Sequence, residues 1–288
     1  MTQTDVSSYE KNHFRFIRLS VDQDYVDLCP QRGGMAVAFR TSGTDVLYMN
    51  PSTLYDRSKN VRGGIPVLFP MAGQLPNKTY TLNGRMYRME NHGLARQRPW
   101  TVVETKADAT HAEATLVFRS NVDTKKSFPF DFEAAYTYRF SGNTLTVRLA
   151  VRNFSAAAMP IYPGFHPYFN IKDKKMSIKT KAAKYTDDND GKIKPLASQI
   201  DLTDRKEAVL FADDSSRIAV RFDAGHQLVL EKSRAFRYIV LWSEPGKNFV
   251  CVEPWTAKKN EYNVGKELIK VEKGQPFKAS IAISLIAG

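Results

Sequence analysis

Large apolar residues recur at every second position over much of the chain. Between positions 132 and 140, Phe132, Ala134, Tyr136, Tyr138 and Phe140 alternate with Glu133, Thr137 and Arg139, the pattern of a strand with one buried face. After Ser141-Gly142-Asn143 the alternation resumes with Leu145, Val147, Leu149 and Val151, so the two runs predict a long hairpin. Phe277, Ala279, Ile281, Ile283 and Leu285 repeat it near the C-terminus. Shorter runs predict strands over 14–19, 35–40, 46–49, 115–119, 217–222, 227–231, 237–242 and 249–253. Asn83-Gly84 is a strong hairpin turn signal and Asp223-Ala224-Gly225 a second one. No segment holds a helical period for three turns. The stretch 172–214, rich in Lys, Asp and Ser and poor in periodicity, predicts long surface loops.

Many short strands separated by turns predict an all-β antiparallel sandwich or barrel, and such folds run past 200 residues as one domain. No linker or internal repeat divides the 288 residues, so the expectation is a single domain over 1–288. The longest apolar runs, such as 238–242, fall well short of the roughly 20 residues of a membrane helix. The first twenty residues are charged and lack an apolar core, unlike a secretory signal; a cytoplasmic location with no membrane partner is the expectation. With only Cys29 and Cys251, a disulfide framework and metal ligation through sulfur are both discounted.

The net charge of +12 is uneven. Between Arg57 and Trp100 eight basic residues face the single acid Glu90. Such a segment reads as a solvated basic face, a nucleic-acid surface or a pocket for a small anion. No nucleic-acid module accompanies it, so nucleic acid is set aside. Glycine-rich phosphate loops, H-E-x-x-H and G-x-S-x-G are absent. Three polar constellations remain. His92 precedes Gly93 inside the basic segment; His166 stands between Pro163 and Pro167 among aromatics; Glu253 ends an apolar run just before Pro254, which is expected to end the strand. Taken singly, each histidine serves equally as a loop anchor and Glu253 as a buried acid with backbone donors. His13, His111 and His226 read as surface or edge residues.

The strings RGGIPVLFP, HGLAR, GFHPYFNI and FVCVEPWT, in that order over residues 62–256, together resemble the aldose 1-epimerase (galactose mutarotase-like) superfamily, in particular its hexose-6-phosphate 1-epimerase branch. The resemblance implies a large antiparallel β-supersandwich. It also implies His166 as general acid, Glu253 as general base, and Arg62, Asn91, His92 and Arg96 at the substrate. Asn91 stands where that branch is expected to have glutamine, and neither Asp204 nor Glu207 is assigned as its sugar-contacting loop acid. The implied reaction interconverts α and β anomers of an aldohexose, with a 6-phosphate favoured because arginine forks suit phosphate. A carboxylate and an imidazole suffice for it, without metal or cofactor. The rival is a non-catalytic carbohydrate-binding protein on the same scaffold. A glycosidase is disfavoured, since hydrolysis uses two opposed carboxylates. Oligomeric state is left open.

Overall fold

The computed structural model describes residues 2–288. The long alternating runs form a nine-stranded antiparallel sheet. Its spatial order is Gln199–Asp201, Lys175–Lys179, Arg217–Arg221, His226–Lys232, Phe277–Ala287, Thr144–Asn153, Phe132–Ser141, His111–Arg119 and Thr101–Asp108. The predicted hairpin pairs Phe132 with Asn153 through Ser141 with Thr144. The strand last in chain order, Phe277–Ala287, lies in the middle, between His226–Lys232 and Thr144–Asn153.

An eight-stranded sheet supplies the second layer. Lys192–Pro195, Lys184–Asp187, Val209–Ala212, Tyr238–Trp242, Val250–Trp255, Gly164–Phe165 and Val67–Leu68 follow in that order, and Tyr168–Phe169 also pairs with Val250–Trp255. The layers share one apolar core, in which Tyr136, Val147 and Ile281 meet Phe165, Ile239, Leu241, Val250 and Val252. The Tyr136 and Phe165 rings touch edge to face, with centroids 5.6 Å apart. Residues 4–45 form a five-stranded meander joined to the nine-stranded sheet by an edge contact of Phe39 with Phe140.

Two strand expectations are corrected. The 172–214 stretch is not loop: it contains Lys175–Lys179, Lys184–Asp187, Lys192–Pro195, Gln199–Asp201 and Val209–Ala212. These pieces bury at most two side chains each, such as Met176 with Ile178, and none in Lys192–Pro195, so no alternation is long enough to register. Residues 46–49 form only isolated bridges, Leu47 to Phe169 and Met49 to Gly63. His111 is buried beside Asp108 rather than at the surface. The helices Pro51–Leu54, Val122–Ser127 and Glu261–Val264 are short. Among the described residues no helix is long and apolar enough to cross a membrane.

The strand Val250–Trp255 positions the chemistry because all six of its residues are buried. Val250 and Val252 face the core, whereas Cys251, Glu253 and Trp255 point to the opposite face. On the neighbouring strand Tyr238, Val240 and Trp242 lie opposite Trp255, Glu253 and Cys251. Pro254 does not end this strand, which continues to Trp255 paired with Gly164 and Tyr238. Val252 and Thr256 donate their N–H groups to Pro167 and Pro163. Position 254 lies opposite Phe165, between these two donors, so Pro254 omits one bond of this series while the flanking bonds keep the strand paired.

Candidate active site

That departure from the ladder puts His166 over Glu253. Phe165 enters the core, His166 turns to the other face, and its backbone N–H donates to the Pro66 carbonyl at 3.0 Å. The ring stacks on Tyr168 at 4.8 Å and meets Trp242 and His92 edge-on. His166 Nε2 lies 3.4 Å from Glu253 Oε1. The other carboxylate oxygen accepts from Trp255 Nε1 at 3.1 Å, and His166 Nδ1 has no partner.

His92 enters from a loop with φ of +63°, a backbone state unusual outside glycine and frequent at functional sites. Its backbone N–H donates to Gly73 O at 2.8 Å, and Gly73 N–H donates to His92 Nδ1 at 3.0 Å. Nδ1 is thus an acceptor, and neutral His92 carries its proton on Nε2. The next residue must be glycine: a Cβ on Gly93 would sit 2.4 Å from the Phe69 carbonyl oxygen. Arg62 precedes the equally constrained Gly64, whose added Cβ would meet Ala36 O at 2.3 Å. Arg62 pairs with Glu244 at 3.3 Å and lies over the Trp242 ring at 5.2 Å.

Arg62, Asn91, His92, His166 and Glu253 line one open cleft of about 180 Å³, floored by the outer face of the eight-stranded sheet. The sixth expected residue, Arg96, is not on its lining. It sits behind, in the short 3₁₀ turn Ala95–Gln97, partly buried and with no ion-pair partner among the described residues. Burial lowers its pKa to about 10, which leaves it charged at neutral pH. Burial, reinforced by Arg96 and Arg62, pushes His166 far below the ordinary histidine range. Burial also holds His92 neutral. Burial pushes Glu253 well above the carboxylate range, against the Trp255 N–H and Arg96, which favour its ionised form. Both directions favour a single proton on the resting pair, held by Glu253 with His166 neutral. Moving that proton to His166 gives the imidazolium–carboxylate form.

Gln74, Asp188, Glu207, Val240, Trp242 and Lys259 complete the cleft. Of the two acids left unassigned by sequence, Glu207 is on the lining and Asp204 is not. Lys259 binds Asp188 at 2.8 Å. The alternation of Tyr238, Val240 and Trp242 with core residues was a signal for Trp242; nothing local marks Lys259 or Asp188. Most of the basic segment lies elsewhere, with Lys78 paired to Glu90, Arg57 over Phe14 and Arg85 over Tyr87.

Residues 15–284 match the family model for aldose 1-epimerase. A protein of Escherichia coli K12 named as a candidate glucose-6-phosphate 1-epimerase is 25% identical over 252 residues, covering 80% of this chain and 79% of its own. A Cenchrus ciliaris protein of the same name is 21% identical over 285 residues, 88% of this chain and 79% of that one. Among solved structures, a Synechocystis sp. PCC 6803 protein superimposes with a TM-score of 0.89 at 28% identity over 99% of this chain and 97% of its own. A galactose mutarotase-like protein of Clostridium acetobutylicum gives 0.86 at 19% identity over 99% of both chains.

Proposed function

The chain belongs to the aldose 1-epimerase family, and from that premise we propose that it interconverts the α and β anomers of an aldohexose 6-phosphate, with His166 and Glu253 as the acid–base pair. One observation carries the reading: the imidazole and carboxylate stand 3.4 Å apart on a buried cleft floor. Ring opening needs a base at the C1 hydroxyl and an acid at the ring oxygen. As carboxylate, Glu253 accepts the O1 proton while imidazolium His166 protonates O5. The C1–O5 bond breaks and the aldehyde forms. Rotation about C1–C2 presents the other carbonyl face to O5, and closure returns both protons. The pair needs one proton in total, the number its burial favours. General acid–base catalysis contributes about 10²- to 10⁴-fold per group.

The side chains around the pair fit a phosphorylated sugar. Trp242 and Trp255 offer apolar faces to a ring, His92 Nε2–H a donor, and Glu207 a carboxylate acceptor for hydroxyls. Arg62 and Lys259 are balanced by Glu244 and Asp188. Arg96, off the lining and without an ion-pair partner among the described residues, adds positive potential to the cleft, which favours a dianionic ester over a neutral hexose. NMR exchange spectroscopy between anomer signals of glucose 6-phosphate, glucose and galactose tests the proposal. The expected result is acceleration greatest for the phosphate ester. Equal acceleration of free sugars would overturn the phosphate assignment, and sugar binding with no acceleration would make the chain a carbohydrate-binding protein.

A further inference from the structure

Three side chains of metal-ligating type converge at the cleft: His166 and Glu253 on its lining and Cys251 fully buried beside them, one ligand atom of each lying within 4.8 Å of the others. Two cysteines in 288 residues argued against sulfur ligation, but the fold sets one of them beside the acid–base pair. Cys251 and Glu253 are two apart on Val250–Trp255 and share its outer face. Register places Cys251 between Tyr168 and Trp242, the two rings that also flank His166. All three residues are more than nine-tenths buried, and His166 retains an unpartnered Nδ1.

We propose that His166, Cys251 and Glu253 form a site for a thiophilic divalent cation, Zn²⁺ or a chemical equivalent, whose binding switches the enzyme off. A thiolate, an imidazole and a carboxylate are zinc's ligand types, and they do not suit Mg²⁺ or Ca²⁺. Three protein ligands plus an open fourth position is the arrangement of an accessible rather than a sealed zinc site. Here two of the three ligands, His166 and Glu253, line the cleft, which gives an ion its entry path. Zinc–ligand bonds of about 2.0–2.3 Å imply ligand atoms about 3.5 Å apart, so side-chain rotations close the present spread by about 1 Å. The thiol and any carboxyl proton leave to solvent as the ion binds. The ion takes the lone pairs that the reaction needs on His166 and Glu253. Binding depends only on the three side chains; inhibition rests on the acid–base reading above.

Titration of the metal-free protein with Co²⁺ tests binding without reference to activity. A near-ultraviolet thiolate-to-cobalt band is expected. It should vanish in Cys251→Ser and persist in Cys29→Ser, whose thiol is buried in a separate cluster. Zn²⁺ at chelator-buffered concentrations should inhibit anomer exchange competitively with sugar, whereas Mg²⁺ should not, and chelator should restore the rate. Metal-free Cys251→Ser should keep its activity and need at least about tenfold more Zn²⁺ for inhibition, since even losing a group that merely orients a ligand costs that much. Absence of the band, or its survival in Cys251→Ser, would overturn the site even if the protein moves no anomer. A band without Zn²⁺ inhibition in an active enzyme would overturn the switch.

Discussion

One proton shared between His166 and Glu253 predicts a bell-shaped pH profile for kcat/KM. Protonating His166 while Glu253 keeps its proton leaves no base, and removing the shared proton leaves no acid. Because burial lowers the histidine and raises the carboxyl, the acidic limb should fall below about 6.5 and the alkaline limb above about 4.5, the ordinary values of the two groups. His166→Ala and Glu253→Gln should each cost about 10²- to 10⁴-fold in kcat while urea midpoints stay near that of the parent. Arg96→Ala should raise KM for glucose 6-phosphate by about tenfold or less and that for free glucose hardly at all, since it removes a positive charge near the cleft rather than a contact on its lining. The guanidinium opposes His166 protonation and favours Glu253 ionisation, so its removal should also move both limbs to higher pH. In the core, the hydroxyls of Tyr136 and Tyr138 are buried without partners. Tyr136→Phe and Tyr138→Phe should each be neutral or stabilising by about 1 kcal/mol in urea denaturation, because an unmade hydrogen bond is removed with its desolvation cost.

The loops that deliver the site depend on backbone states only glycine adopts freely. Gly93→Ala places a methyl against the Phe69 carbonyl at φ of +80°, and should destabilise by at least about 2 kcal/mol. His92, whose tautomer is set by Gly73 one loop away, should be displaced with it; calorimetry and the His92 NMR resonances report the two effects separately. Elements with long alternation were legible in the sequence: Phe132–Ser141, Thr144–Asn153 and Phe277–Ala287 stand where the pattern puts them. The strands between 172 and 214 were not, since each buries at most two side chains and most pair with strands more than 20 positions away. Motif strings brought out His92, His166, Glu253 and Arg62 because each sits beside a glycine or proline with a structural duty. Lys259 and Asp188 are joined by a contact across 71 positions of chain, which no local pattern encodes. Cys251 hid in a strand that is apolar in sequence yet two-sided in space.

For the molecule as a whole, burial of the site groups ties stability to pH. Between about pH 4.5 and 6.5 the unfolded chain protonates both His92 and His166 and ionises Glu253, binding two protons. The folded site binds one, since both histidines are depressed and Glu253 is raised. With the unfolded state holding the extra proton, these groups make stability rise with pH across that window, by about 1.4 kcal/mol per unit. Urea midpoints should fall on acidification from 6.5, and His92→Gln should flatten this contribution. A slope of opposite sign would mean that the histidines are charged in the folded protein. The central place of Phe277–Ala287 has a consequence for synthesis. The nine-stranded sheet has two halves that meet only through Phe277–Ala287, the last of its strands to be made, so until that strand is synthesised each half presents an open edge. Both halves must wait, half-made and adhesive, for that one strand, and chaperones have their longest task on this sheet until it has been made.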